Sequence, residues 1–139
     1  MLLAIAAVVT AEPPPAPDAV AVVVGRASTR TEISRDDLRD IYLRRQRLWS
    51  DGAPVIPVNL PAGNPVREEF SRIVLGRSSQ DLATHWNARY FEGIRPPIVL
   101  ASATAVCAYV GAEPAAIGYL PVKDLDPTCR VLLTLRQTP

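Results

Sequence analysis

Apolar positions along this chain come in short runs broken by prolines, glycines and charged turns, and the spacing within each run predicts its element. Ala19 to Gly25 is an unbroken run of mostly β-branched residues, which predicts a buried strand. Ser34-Arg35-Asp36-Asp37 predicts a helix start, with Ser34 as cap and two aspartates at the positive end of the helix dipole. Leu38, Ile41, Tyr42 and Leu48 then form an apolar stripe on one face. Trp49-Ser50-Asp51-Gly52 predicts a turn with Trp49 folded back on the core. Val55, Ile56 and Val58 predict a second buried strand, and a tight loop containing Gly63 leads from it into a helix. Asn64 is a good N-cap there, and Pro65 sits at the first helical position, where its missing N–H costs nothing. Phe70, Ile73 and Val74 follow Val66 at helical spacing until Gly76 stops the run. A third helix is capped by Ser78 or Ser79 and carries Leu82, Trp86 and Tyr90 on one side. After a break at Gly93 to Pro97, Ile98-Val99-Leu100 is a brief apolar strand or extended stretch. Ser102 opens an alanine-rich helix with Val106, Tyr109 and Val110 inward and Gly111 at its end. Ala116 to Leu120 predicts a buried strand in which Gly118 lets a neighbour approach closely, and Arg130 to Leu135 a last strand. The order predicts an α/β fold, a small parallel or mixed sheet with helices on both faces.

Length and charge narrow the class. The 139 residues suit one domain with a real core, and 48% hydrophobic with 21% charged residues is a globular composition. A formal net charge of +1 argues against a dedicated nucleic-acid binder, which normally carries a strong basic excess. Met1 to Pro17 has the form of an export signal and its exit. Leu2 to Val9 is apolar but too short to span a bilayer, Val9-Thr10-Ala11 fits cleavage after Ala11, and a Pro-rich leader covers 12–18. No Lys or Arg precedes the apolar run, so a buried strand is the other reading. On the export reading the domain is 19–139, periplasmic or secreted, with no membrane span after cleavage. Cys107 and Cys129 then form a single disulfide, or else are two buried thiols. The lone His85 and two distant cysteines lack zinc-ligand spacing, so no metal is expected. With no nucleophile–base pair, carboxylate dyad or cofactor fingerprint, the expectation is a non-enzymatic protein without a cofactor.

The Gly63 loop is the stretch with binding chemistry. A strand feeding a helix through such a loop leaves N–H groups at the positive end of the dipole, a potential anion site or simply a structural joint. The candidate ligand-binding residues are Gly63, Asn64, Val66 and Arg67. Arg44, Arg45 and Arg47 are a second basic cluster, either a patch for an anion or partner, or cations complementing the end of the preceding helix.

Four segments in order carry a resemblance: Ile33 to Tyr42, Trp49 to Gly52, Ile56-Pro57-Val58 with the Gly63 loop and Phe70, and Ala115 to Tyr119. Together they resemble the substrate-binding proteins of phosphate ABC importers, of the type II periplasmic-binding-protein fold. The likeness runs from about Val20 to Leu135 and is to the second lobe alone, as in short single-lobe relatives. It implies an exported solute-binding-like protein for a small anion such as phosphate, working with an ABC transporter. The alternative is an envelope interaction module that kept the fold and lost the ligand. In those proteins the loop carries an arginine followed by Gly-Ser-Gly-Thr. Aligned on Phe70, the arginine position falls on Leu60, and the Ser-Gly-Thr positions fall on Asn64, Pro65 and Val66. Pro65 removes an N–H and Val66 a hydroxyl, so the resemblance implies weak phosphate binding or none. Arg67 replaces part of the lost charge if it turns back over the loop.

Overall fold

A computed structural model describes residues 19–136; the export signal and Pro-rich leader expected in 1–18 lie outside the described residues. The chain forms β1 (Val20–Gly25), α1 (Arg35–Tyr42), β2 (Ile56–Asn59) and α2 (Pro65–Phe70). It continues with α3 (Ala83–Phe91), β3 (Ile98–Val99), α4 (Ala103–Ala112), β4 (Ala116–Pro121) and β5 (Cys129–Leu135). The strands make one mixed sheet in the order β3-β2-β4-β1-β5. β2 runs parallel to β3 and β4, whereas β1 is antiparallel to both of its neighbours, β4 and β5. Every residue of β1 and β4 is buried, as their continuous apolar sequences require of central strands covered on both sides.

The two faces are set by neighbouring residues of β4, since successive side chains point to opposite sides. Gly118 faces α4: a Cβ there would lie 2.7 Å from a methyl of Val106 and 2.8 Å from one of Val58. Tyr119 faces α1 and α2, stacking on Phe70 with ring centroids 3.9 Å apart, while Tyr42 meets Phe70 edge-on at 4.7 Å. The buried Tyr42 hydroxyl is satisfied by the carbonyls of Val58, at 2.8 Å, and Ile117, at 3.3 Å. A disulfide, Cys107–Cys129, ties α4 to β5 with 5.1 Å between the Cα atoms.

Local signals hold where capping chemistry decides. Ser34, Asn64 and Ser102 are N-caps, each accepting a backbone N–H from the first turn of its helix. α2 passes into one π-helical turn, Ser71–Leu75, which Gly76 closes at φ 70°. Trp49 is folded back, its indole N–H donating to the carbonyl of Ala115 at 3.0 Å.

Four expectations are corrected. Leu48 is 55% exposed and not on the α1 stripe, because α1 stops at Tyr42. There Arg44 takes the left-handed position, φ 61°, that glycine usually fills, and the amides of Arg44 and Arg45 return to the carbonyls of Ile41 and Asp40. Tyr90 is 72% exposed, because α3 takes no part in the main packing contacts of the sheet and leans on the end of α1, where His85 Nε2 donates to the carbonyl of Leu43 at 3.1 Å. Ser78 caps the turn before α3 through the amide of Asp81, and Leu82 stands at the head of the helix itself. Gly111 does not end α4, which runs on to Ala112 with Glu113 as C-cap.

Candidate functional site

The Gly63 loop emerges from β2 at the edge of the sheet where β4 also ends. Its backbone is held from below by Tyr119, whose phenol donates to the Asn59 carboxamide and accepts the amide of Leu60 at 3.4 Å. Burial pushes the Tyr119 phenol well above the usual tyrosine range, so it stays protonated and able to donate. The loop turns through a bond from the Asn64 amide to the carbonyl of Pro61, 3.0 Å, with Gly63 at φ 83°.

All four sequence-derived candidates meet here, and each already has an internal partner. The Asn64 carboxamide oxygen accepts the amides of Val66, at 2.9 Å, and Arg67, at 3.4 Å. Arg67 does turn back over the loop: its Nη1 donates to the carbonyl of Leu60 at 3.0 Å, while its Nε is buried without a partner. The amide of Gly63 donates to a Glu68 carboxylate oxygen at 3.3 Å. Glu68 also accepts the Ser79 hydroxyl and, at 3.3 Å, the Ser79 amide. Ser79 and, to a lesser degree, Gly63 and the Arg67 charge hold its carboxyl below the ordinary glutamate range.

Beside the loop lies a cleft of about 460 Å³, lined by Val20, Asn64, Val66, Glu69, Lys123 and Asp124 among others. Lys123, the only lysine of the chain, was not singled out in the sequence. It enters because β4 ends at Pro121 and a short 3₁₀ turn, Val122–Asp124, carries it to the loop edge of the sheet.

A wider cleft, about 720 Å³, opens at the opposite end of the sheet between residues 29–34 and 46–51. Two of its charged groups, Arg30 and Asp51, serve the local structure. Arg30 pairs with Asp51 at 2.9 Å and lies 4.5 Å above the Trp49 ring, and Asp51 also accepts the amide of Ala53. The amide of Ala53 first, and Arg30 after it, hold the Asp51 carboxyl below its ordinary range. The arginine cluster does not converge on the Gly63 loop: Arg44 donates to the carbonyl of Val55, before β2, and Arg45 and Arg47 are exposed. Asp126 lies close to Cys107 and Cys129, but both sulfurs are engaged in the disulfide. Among the described residues, no helix is long and apolar enough to cross a membrane.

No protein-family model matches the chain, and no curated protein matches it in sequence. Solved structures do match. An ABC-type phosphate transport receptor from Vibrio cholerae superposes with a TM-score of 0.67 at 19% identity, over 83% of this chain and 45% of that one. A protein described as a phosphate ABC transporter substrate-binding protein, with bound phosphate, from Clostridium perfringens gives 0.67 at 18% identity, over 83% of this chain and 44% of that one. PstS from Borrelia burgdorferi gives 0.58 at 19% identity, over 76% and 41%. This chain therefore spans less than half the length of each neighbour, and it shares the fold of that one part.

Proposed function

We propose that this lobe is a non-enzymatic, solute-binding-like module that takes a small oxyanion of the phosphate type at the loop between β2 and α2. The observation carrying this reading is the course of Arg67. Its guanidinium reaches back to the carbonyl of Leu60, the position where the resemblance calls for an arginine, so a cation stands at the loop although the motif residue is gone. Lys123 adds a second cation at the adjoining cleft. The neighbours' names, a phosphate transport receptor and a phosphate-bound protein, support the choice of anion. We place the module at the cell envelope as a domain of 19–139 behind an export signal at 1–11 and a leader at 12–18. The disulfide supports that placement, since such bonds persist in oxidising compartments. An ABC transporter is the partner this reading expects.

A second reading, an envelope interaction module that binds no solute, is favoured by one observation. The amides of Gly63, Val66 and Arg67 are already bonded to Glu68 and Asn64. Calorimetric titration with phosphate, sulfate and a carboxylate separates the two. On the anion reading the parent gives saturable heat with phosphate, and Arg67→Ala weakens binding by about 1.5–3 kcal/mol, the scale of a hydrogen bond to a charged group. Pro65→Gly with Val66→Thr tightens it by returning one N–H and one hydroxyl. Absence of heat in the parent and in the restored variant leaves the interaction module standing.

A further inference from the structure

The anion reading makes no use of Glu68, yet this residue ties the loop to the turn ahead of α3. Its carboxylate accepts the amide of Gly63 from the loop, and the hydroxyl and amide of Ser79 from the turn ahead of α3. The titratable groups bearing on it are Arg67, its positively charged neighbour on α2, and Tyr119 from β4, whose phenol is neutral. A carboxylate is chemically a small oxyanion: two acceptor oxygens and one negative charge. Glu68 thus stands at the loop as an incoming anion would, bonded to a backbone N–H and within the field of the Arg67 guanidinium, which itself bonds the Leu60 carbonyl.

We infer that Glu68 is a built-in competitor at this site: an outside oxyanion gains the Gly63 amide and the full charge of Arg67 only when the Glu68 carboxylate releases them, by swinging away or by taking a proton. The inference rests on the anion reading and names its regulation. Binding is then coupled to proton uptake, because protonating Glu68 removes a negative charge from the loop and weakens its hold on Gly63. Glu68 also discriminates by charge. A monoanionic carboxylate offers little more than Glu68 already supplies, while a dianion such as sulfate or hydrogen phosphate outbids it at the guanidinium.

The test uses the full chain and two readouts. First, amide resonances are followed by ¹⁵N–¹H correlation spectra from pH 6 downward, without added anion. The Gly63 and Ser79 amides are expected to move together in one step below the ordinary glutamate range, and Glu68→Gln is expected to abolish that step. Independent movement of the two amides, or a step that survives in Glu68→Gln, overturns the inference whatever the protein binds. Second, sulfate is titrated into parent and Glu68→Gln at pH 6, the uncharged variant keeping the side-chain shape. Glu68→Gln is expected to bind sulfate about tenfold more tightly, the effect of losing one charge-assisted contact at the loop. Parent binding that Glu68→Gln leaves equal or weaker sinks the competitor while the anion reading stands. Silence from both proteins removes the anion reading and the competitor with it.

Discussion

Gly118 shows how little tolerance one position can have. With Val106 and Val58 methyls under 3 Å from any added Cβ, Gly118→Ala must push α4 or β2 outward. Overpacking of this kind costs about 1–3 kcal/mol, which chemical denaturation will register as a lower midpoint with an unchanged slope. One residue on, Tyr119 supports the Gly63 loop from beneath through Asn59 and Leu60. At this scale the sequence was readable wherever the physics is local. Asn64 as cap and Pro65 as first helical residue follow from a few consecutive positions, and the close approach at Gly118 from a lone glycine in a buried strand. The carboxylate of Glu68 was not readable, because its partners are a loop amide five residues back and a serine eleven residues on, past an intervening helical turn. Lys123 was missed for the same reason: only the sheet order carries the end of β4 beside the start of α2.

Elements were legible as far as their ends. Among the described residues, the five strands and four helices fall on the apolar runs read for them, β3 on a run read as strand or extended stretch, since burial on a sheet selects those runs directly. Where a helix stops is a different question. The α1 stripe was carried on to Leu48, but a left-handed Arg44 ends the helix two residues after Tyr42, and an arginine at that position gives no sequence signal. The i, i+4 spacing of Leu82, Trp86 and Tyr90 is real, yet it describes a face with no sheet beneath it at the Tyr90 end. The disulfide acts at this scale too, fastening α4 to β5. Its sequence separation of 22 residues implies about 3 kcal/mol of stabilisation through the unfolded chain. Thermal melts with and without a phosphine reductant should differ accordingly, and Cys107→Ala with Cys129→Ala should melt at the lower temperature whether or not reductant is added.

Across the whole molecule the aromatic centre couples the fold to pH. Burial raises the phenols of both Tyr42 and Tyr119. The native state thus favours their neutral forms, whereas an unfolded chain ionises tyrosine near pH 10. The stability they contribute is complete below about pH 10 and is lost as pH rises through the interval above it. Alkaline titration followed by absorbance and circular dichroism should show these two tyrosines ionising only as the fold is lost; a reversible ionisation with native dichroism would contradict their burial. The sheet order has one more consequence, and it concerns time. β1, the first of the described strands, is bonded on one side to β4 and on the other to β5, with Val20 opposite Pro121 and Leu135. Its partners are therefore about a hundred residues away, a high contact order of the kind that slows folding. As the chain leaves the ribosome, Val20–Gly25 waits as an apolar strand with both edges bare, and the sheet closes only when Cys129–Leu135 arrives. Closure of the sheet is thus deferred until β5 has been made, which leaves a long interval in which a chaperone can hold the chain unfolded.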